Sequence, residues 1–342
     1  MRKQFGVLGL GQCGSNIANL FESKGYNTLY INTSKEDLNS FKGTHKLHIK
    51  GAEGAAKERR RVLQLATETF PEIIQQIDSI ITQKYIIVVF SSSGGTGSGL
   101  STPIFKYLSQ TGKVCIPVVV IPDGEAESAK ANENAYNSLA ELMSIQGLGA
   151  TFLLDNSKYD KFAINSKFVN EIDMFINLKN SSMYGNIDMA ERKQVLSCSG
   201  VAMIGKTSKT KSTSADIIQA LHNGIYADME QKTAMYLALS TSNKSLDIKS
   251  ITSEFTSLYD QFIGYSEATS IIIVSGLQFP LKRIEKFRIK FEETVQNINN
   301  TIVQQPPIIQ PLQGLSFMER QTAQPTTPIN PRDILLGLLN AN

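Results

Sequence analysis

Short apolar runs alternate with longer amphipathic segments through the first half of the chain. In the amphipathic segments the apolar residues recur with helical spacing, as in the stripe from Phe70 to Ile81, and this period is typical of an α-helix packed on a core. The alternation predicts an α/β fold with a doubly wound sheet. The predicted strands span residues 5–8, 28–31, 85–90, 114–121 and 151–154.

The pattern changes in the second half of the chain. A helical pattern precedes a polar loop, and then a short helix, an apolar stretch from Gly200 to Ile204, more helix and a strand from Ile271 to Val274 predict a smaller α+β domain. A long amphipathic helix follows, and beyond it the chain is rich in Pro, Gln and Thr, which is typical of disorder. We therefore predict a first domain over residues 1–166, a central helix and loop over 167–185, a second domain over 186–278, a terminal helix over 279–303 and a disordered tail over 304–342.

Two glycine-rich turns each follow a predicted strand. The first runs from Gly9 to Asn16, and the second, Ser-Gly-Gly-Thr-Gly-Ser-Gly, runs from Ser93 to Gly99. Glycines let the backbone approach a ligand closely, and the free amides at the start of the following helix attract phosphate. Because ligands bind at the carboxyl ends of strands in such sheets, we expect both turns to face one crevice.

The first turn alone, with glycines at 9, 11 and 14, is also typical of a dinucleotide site. Such a site normally has an acidic residue at the end of the second strand, but here the strand ends in Asn32 and Thr33. The sequence has no G-x-x-x-x-G-K-[ST] motif, so the phosphates would be held chiefly by backbone amides. A nicotinamide-dependent oxidoreductase remains an alternative that depends on this first turn alone.

Composition narrows the classes of function. A formal net charge of +3 with dispersed basic residues gives no electrostatic reason to expect direct binding of nucleic acid. Cys13, Cys115 and Cys198 are odd in number and far apart, which favours a reducing compartment. The apolar runs are shorter than the ~20 residues that span a bilayer, and the N-terminus shows no signal peptide. We therefore predict a cytoplasmic protein that does not contact membrane.

Five motifs, in order along the chain, resemble those of the tubulin and FtsZ superfamily. The second glycine turn resembles the signature loop of that superfamily, and the first turn is similar to its first nucleotide loop. The other matches are Asn32-Thr33 at the end of the second strand, Pro122–Glu127 in the place of the ribose loop, and Asn186–Glu191 in the place of the synergy loop. Within the superfamily, residues 32–38 and 153–156 are most similar to TubZ, the tubulin-like family of plasmids and phages from Gram-positive bacteria.

This resemblance implies a GTPase that binds GTP or GDP with Mg²⁺, with a GTPase domain before the central helix and an activation domain after it. The implied nucleotide contacts in the two glycine turns and at the end of the second strand are Gly11, Gln12, Cys13, Gly14, Asn16, Asn32, Ser93, Gly94, Gly95, Thr96, Gly97 and Ser98.

The resemblance also implies contacts to the guanine and the ribose. Asn156 and Asp173 are expected to face guanine, with Asn170 competing with Asp173 because sequence does not fix the register of the helix. Glu125 and Glu127 compete for the ribose. The arginine that the family has after that glutamate is absent, and Lys130 is the nearest cation.

A further loop lies between the second and third predicted strands. Residues 51–57, Gly-Ala-Glu-Gly-Ala-Ala-Lys, are expected either to close over the γ-phosphate or to form a plain turn.

The implied catalytic residues are Asn186, Asp188 and Glu191, which in this family act on the nucleotide of the neighbouring subunit. Chemistry supports the assignment, because a site made of backbone amides lacks a group to orient the attacking water. Two carboxylates three residues apart lie on one face of a helical turn and can supply that group. The alternative is that Asp188 and Glu191 only add charge to the first turn of a helix.

A TubZ resemblance implies a head-to-tail polymer of this chain. It further implies plasmid or phage DNA segregation through a DNA-binding adaptor, for which the apolar patch from Ile334 to Leu339 in the tail is a candidate docking peptide. That patch packing on its own body is the alternative. An FtsZ-like cell-division or phage-positioning homologue, and a GTP-binding protein that does not polymerise, also remain open.

Overall fold

The computed structural model describes residues 1–178, 182–222, 224–266 and 269–304. Within these ranges the chain forms a mixed α/β structure around one sheet of ten strands. The strands are β1 Phe5–Leu10, β2 Asn27–Asn32, β3 His45–His48, β4 Tyr85–Ser91, β5 Val114–Ile121, β6 Ala150–Asp155, β7 Gly200–Lys206, β8 Thr233–Thr241, β9 Ser257–Tyr265 and β10 Ile271–Leu277. The α-helices are α1 Gly11–Ser23, α2 Lys35–Asn39, α3 Arg59–Ile80, α4 Thr96–Gln110, α5 Ala129–Met143, α6 Lys161–Ile176, α7 Met189–Ser197, α8 Ser214–His222, α9 Ile248–Thr252 and α10 Leu281–Gln304.

The order of the strands creates a crevice in the first half of the sheet. Six parallel strands lie in the order β3-β2-β1-β4-β5-β6, with β1 paired to β2 on one side and to β4 on the other. The winding therefore reverses between β1 and β4. In a doubly wound sheet this switch point is where ligands bind, and the two glycine turns follow these two strands. The predicted fold class is confirmed.

The second half differs from the sequence-based expectation. Strand β7 pairs in parallel with β6, and β10 then joins β7 in antiparallel orientation, so both halves share one continuous sheet. The segment after α8, which the pattern predicted as helix, instead forms β8 and β9 on either side of the short helix α9. This prediction was wrong because both strands lie at the far end of the sheet, where β9 is largely exposed and carries no clear alternation of apolar and polar residues.

The central helix α6 begins earlier than expected. Its predicted start was Lys167, but the helix begins at Lys161, where the Asp160 carboxylate accepts hydrogen bonds from the amides of Phe162 and Ala163. This is an N-cap, and it satisfies amides that have no partner inside the helix. The helix ends at Ile176, and residues 179–180 of the predicted segment lie outside the described residues.

The terminal helix α10 returns to the first half of the molecule and packs along α5. Its side chains Ile284 and Phe287 are buried. The predicted disordered tail and its apolar patch lie outside the described residues, apart from Gln304. None of the helices in the described ranges is long and apolar enough to cross a membrane.

Candidate nucleotide site

The first glycine turn is shorter than the segment from Gly9 to Asn16 that the sequence predicted. Helix α1 begins at Gly11, inside the motif, and the φ of Gly11 is +68°. This left-handed conformation favours glycine. At Gly14 an added Cβ would overlap the carbonyl oxygen of Val89, because α1 lies directly against β4. The two glycines therefore set how closely the start of α1 approaches the crevice.

The second turn delivers the start of α4 to the same crevice. Helix α4 begins at Thr96. Its N-cap residue, Gly95, has no side chain that could accept a hydrogen bond from the first amides of α4, so these amides are available to a ligand. The hydroxyls of Thr33 and Thr96 lie 2.7 Å apart and link this turn to the end of β2. The Ser98 hydroxyl donates to the Gly94 carbonyl oxygen, so Ser98 stabilises the turn itself.

These turns enclose a cavity of about 290 Å³. Its walls come from the starts of α1 and α4, the end of β2 and the loop before α3. Among the predicted nucleotide contacts, the residues that line the cavity are Gly11, Gln12, Cys13, Asn32, Gly94, Gly95, Thr96 and Gly97, whereas Gly14, Asn16, Ser93 and Ser98 do not line it. Desolvation raises the pKa of the half-buried Cys13 thiol to about 12.

The loop over residues 51–57 closes one side of the cavity, which counts against the plain-turn alternative. Ala56 and Lys57 have φ values of 46° and 61°, a conformation that costs of order 1–3 kcal/mol for non-glycine residues. The Asn134 side-chain amide holds the loop by donating to the carbonyl oxygens of Lys57, Ser93 and Gly94, at 2.8, 3.3 and 3.3 Å. The strained loop is thus bound to the second glycine turn, with Lys57 on the cavity wall.

Asn32 and Asp37 form a polar corner of the cavity. The Asn32 side-chain amide donates to Asp37 Oδ2 at 3.0 Å, and Asn32 Oδ1 accepts from the amide of Ser34 at 3.2 Å. Ser34 in turn caps α2 by accepting from the Asp37 amide. The corner therefore presents oxygen atoms, which suit a hydrogen-bonded hydroxyl or a hard cation.

The two candidate ribose carboxylates have different surroundings. Glu127 lies 3.3 Å from the Lys57 ammonium, next to the cavity. Glu125 instead pairs with Lys290 of α10, whose ammonium lies 2.6 Å from the carboxylate, and the Glu125 side chain is 81% exposed. That hydrogen bond and the Lys290 charge lower the pKa of Glu125. The geometry favours Glu127 of the two.

Asn156 lies directly after β6, and its side-chain oxygen is buried without a hydrogen-bond partner in the described structure. A second buried amide oxygen, Asn165 Oδ1, also lacks a partner within the described residues. Asn165 lies on the second turn of α6, and Asn156 is in the short loop before that helix. Unpaired buried polar atoms are costly, and neither residue is among those that line the cavity described above.

Asp173 lies far from this pair. Helices α1 and α6 run side by side in the same direction, with Phe21 against Phe168 and Lys24 against Asp173. Asp173 is therefore at the far end of α6, about two turns or ~12 Å beyond Asn165.

The partners of Asp173 belong to the opposite end of the sheet. Arg2 and Tyr26 donate to its carboxylate at 2.8 and 2.9 Å. Burial raises the pKa of Asp173, but these hydrogen bonds and the charges of Arg2 and Lys24 outweigh it and hold the pKa below its usual value. Asp173 thus ties the amino-terminal ends of β1 and β2 to α6, and its position does not support a guanine contact. Asn170 is exposed on α6.

The predicted synergy loop forms the start of α7. Asp188 Oδ1 accepts from the Glu191 amide at 2.9 Å, and Glu191 Oε2 accepts from the Asp188 amide at 2.7 Å. This reciprocal pattern is a capping box. Asn186 Oδ1 accepts from the Ser182 amide at 3.1 Å. The three predicted catalytic residues therefore lie together, with the Asp188 side chain exposed and one oxygen of each carboxylate engaged in the cap.

Arg192, which sequence reasoning missed, fixes this loop to the central helix. It is 7% exposed, and its guanidinium donates to the carbonyl oxygens of Ile176, Leu178 and Asp188 at 2.9, 3.3 and 3.0 Å. Desolvation lowers the pKa of Arg192, although the charges of Asp188 and Glu191 oppose the shift. An isolated arginine in a polar sequence gave no signal of this role.

The cavity and the capping box lie at opposite ends of strand β1. Gln4 donates to the Met189 sulfur at 3.7 Å, which places α7 at the beginning of β1, whereas Gly11 follows its end. Strand β1 alone spans roughly 20 Å at ~3.3 Å per residue. Asp188 therefore cannot reach a nucleotide in the cavity of its own chain.

Comparisons with known proteins agree with this geometry. A model of the tubulin/FtsZ family, GTPase domain, matches residues 4–163. The tubulin-like protein TubZ of Clostridium botulinum C phage is 30% identical over 279 residues, which cover 79% of this chain and 77% of that relative. The tubulin-like protein CetZ of Pyrococcus horikoshii is 26% identical over 67% of this chain and 70% of its own. The crystal structure of Clostridium botulinum phage c-st TubZ has a TM-score of 0.79 at 26% identity and covers 87% of this chain and 100% of its own.

The chain belongs to the tubulin/FtsZ family, and its amino-terminal half is the GTPase domain of that family. It is accordingly a GTPase that binds GTP and GDP, and the nicotinamide-dependent alternative finds no support. Among the relatives named above, it is most similar to the TubZ of Clostridium botulinum C phage. A GTPγS-form protofilament of Bacillus thuringiensis serovar israelensis TubZ shares the fold, with a TM-score of 0.72 at 16% identity over 89% of this chain and 95% of its own.

Proposed function

We propose that this GTPase forms head-to-tail filaments and that each active site is completed by the synergy loop of the next subunit. The observation that carries the proposal is the separation of the cavity from the Asp188–Glu191 pair. Within one chain the two lie at opposite ends of strand β1. Stacking two copies end to end brings these halves together. Filament assembly is consistent with the protofilament form of the structurally similar Bacillus thuringiensis TubZ.

The chemistry of the two halves is complementary. Backbone amides at the starts of α1 and α4 would hold the phosphates and stabilise the charge that develops during transfer. The Asp188 and Glu191 carboxylates would orient the water that attacks the γ-phosphate. Asn156 and Asn165 would accept hydrogen bonds from the guanine edge, and Glu127 would contact the ribose. Asn165 replaces Asp173 in this assignment.

Mg²⁺ would enter with the phosphates. No group of three or more His, Cys, Asp and Glu residues in the described ranges is arranged to hold a metal ion. The Thr96 hydroxyl and the Asp37 carboxylate line the cavity and are oxygen donors of the type that Mg²⁺ prefers. They fit an ion that is bound mainly by the nucleotide and water, where it would neutralise phosphate charge.

A conservative exchange separates catalysis by Asp188 from capping. Serine is a good N-cap, so Asp188→Ser keeps α7 in place but removes the carboxylate. Glu191→Gln likewise preserves the capping box. We expect both variants to assemble and to hydrolyse GTP about 10²–10⁴-fold more slowly, the usual contribution of a positioned acid or base. If Asp188→Ser assembles and hydrolyses GTP at the native rate, Asp188 only caps α7 and the catalytic assignment is wrong.

For the cellular role we propose plasmid or phage DNA segregation, with the tail over residues 304–342 binding a DNA-binding adaptor. The support is the similarity to a phage TubZ and the modest net charge of +3, which gives no reason for direct DNA binding. A plasmid-loss assay in the native host tests this role. Removing residues 305–342 should destabilise the replicon while GTP hydrolysis persists. A division defect with normal replicon inheritance would instead support the FtsZ-like alternative.

A further inference from the structure

The terminal helix α10 begins beside the nucleotide-binding half of the molecule. The Glu230 carboxylate caps it by accepting from the amides of Lys282 and Arg283, at 2.7 and 3.3 Å. Ile284 and Phe287 are buried against that half, and Lys290 pairs with Glu125. The first turns of α10 are thus fixed by a cap, by apolar packing and by an ion pair.

Arg283 makes the most extensive of these contacts. Its Nε donates to Asp155 Oδ2, and one terminal nitrogen donates to Asp155 Oδ1, both at 2.9 Å. The same nitrogen lies 2.8 and 3.2 Å from the carbonyl oxygens of Pro122 and Asp123. The guanidinium also lies over the ring of Phe287, 4.7 Å from its centroid. Asp155 is 2% exposed, so this bidentate pair is shielded from water.

Arg283 holds the last residue of β6 and the start of the segment after β5, and each of these leads into a loop that carries a candidate nucleotide contact. Asp155 precedes Asn156, whose buried side-chain oxygen lacks a partner in the described residues. Pro122 and Asp123 open the loop that carries Glu127. Gly124, which follows Asp123 in this loop, has a φ of +84° and packs against Arg283 and Phe287. One side chain therefore connects both loops to α10.

We infer that Arg283 is a positioning residue for the guanosine half of the nucleotide. Its fork, the pair of hydrogen bonds from the guanidinium to Asp155, fixes the end of β6 and thereby the orientation of the Asn156 side-chain amide. Its contacts with the carbonyl oxygens of Pro122 and Asp123 fix the start of the ribose loop. The inference rests on the proposed roles of Asn156 and Glu127. The phosphate-binding turns are built from other residues, so loss of Arg283 should weaken base recognition while phosphate binding remains.

The test compares affinities for GDP and ADP, measured below the concentration at which the chain assembles. In Arg283→Met we expect GDP affinity to fall about tenfold or more, as for a lost hydrogen-bonded charge. ADP affinity should change little, so the preference for GDP over ADP should fall with it. Arg283→Lys keeps the charge without the fork and should recover only part of the preference. Asp155→Asn should act like Arg283→Met, and the double variant should show no further loss.

Arg288 on the same helix is the matched control. Its guanidinium pairs with Glu285 and Glu292 of α10 itself, so Arg288→Met should leave both affinities unchanged. If Arg283→Met and Arg283→Lys keep the native GDP affinity and GDP preference and only lose thermal stability, Arg283 is structural and the inference is wrong. Failure of the native chain to bind GDP would instead contradict the proposed function.

Discussion

A buried ion pair supports the second glycine turn and allows a quantitative prediction. Arg59, at the start of α3, donates to Glu141 Oε2 of α5 at 2.7 Å and to the Ser98 carbonyl oxygen at 3.0 Å. Thr102 donates to the same carboxylate oxygen at 2.7 Å. The side chains of Arg59 and Glu141 are only 10% and 12% exposed. The pair therefore joins α3, α4 and α5 behind the phosphate-binding turn.

Removing Glu141 leaves the guanidinium of Arg59 buried without its counter-charge. Breaking such a pair from one side costs about 3–5 kcal/mol, and Arg59 Nε already lacks a partner within the described structure. We therefore expect Glu141→Ala to lower the free energy of unfolding by that amount. The single variant Arg59→Met and the double variant Arg59→Met/Glu141→Ala complete the cycle. The double variant should lose far less than the sum of the two single effects, because no unpaired buried charge remains.

Urea unfolding of the two single variants and the double variant, with bound GDP at a fixed concentration, gives the coupling energy between the two side chains. Asp228→Asn is the control, since the Asp228 side chain is 75% exposed in its pair with Lys158 and such pairs contribute about 0–1 kcal/mol. If Glu141→Ala costs no more than the control, or if the two single effects simply add in the double variant, the buried pair is not coupled as described.

Three further predictions follow from individual contacts. Gly14→Ala should push α1 away from the Val89 carbonyl and weaken GTP binding about tenfold or more, which nucleotide titration measures; native affinity would contradict the close packing. The pKa of Asp173 is lowered in the folded state, so its contribution to stability is present above its unfolded pKa of about 3.9 and is lost as the pH falls through the folded value. In Asp173→Asn the free energy of unfolding should therefore depend less on pH in that acid range. An unchanged slope would contradict the pairing. Asn165→Ala should reduce the preference for GDP over ADP in competition binding, whereas the exposed control Asn170→Ala should not, and the opposite result would restore the alternative register.

Sequence patterns predicted the parts of the fold whose signals are local. The first six strands of the sheet, except β3, are apolar runs bounded by turn residues, and their parallel pairing follows from the alternation with helices. Strand β3 was missed because His45–His48 is short and polar. Strands β8 and β9 were missed because long-range pairing, rather than local alternation, holds them in the sheet.

The same distinction explains the site. The glycine turns and the segment from Asn186 to Glu191 each consist of consecutive residues with a recognisable motif, so the sequence was sufficient to locate them. The sequence-based candidates for a guanine contact from the central helix were Asp173 and Asn170. Asn165 was not considered, because that helix was predicted to start at Lys167. The cap at Asp160 was the signal that could have corrected that start. The contacts of Arg192 and Arg283 join residues far apart in the chain and had no local signature.

The central claim is that one active site requires two subunits, and GTP hydrolysis per molecule against protein concentration tests it most directly. Assembly is followed by light scattering in the same samples, with Asp188→Ser in parallel. The shared site predicts almost no hydrolysis at low concentration, a rise in rate per molecule where scattering begins, and assembly without that rise in Asp188→Ser. A rate per molecule that is constant with concentration would show that each chain hydrolyses GTP alone, and would contradict the proposed mechanism.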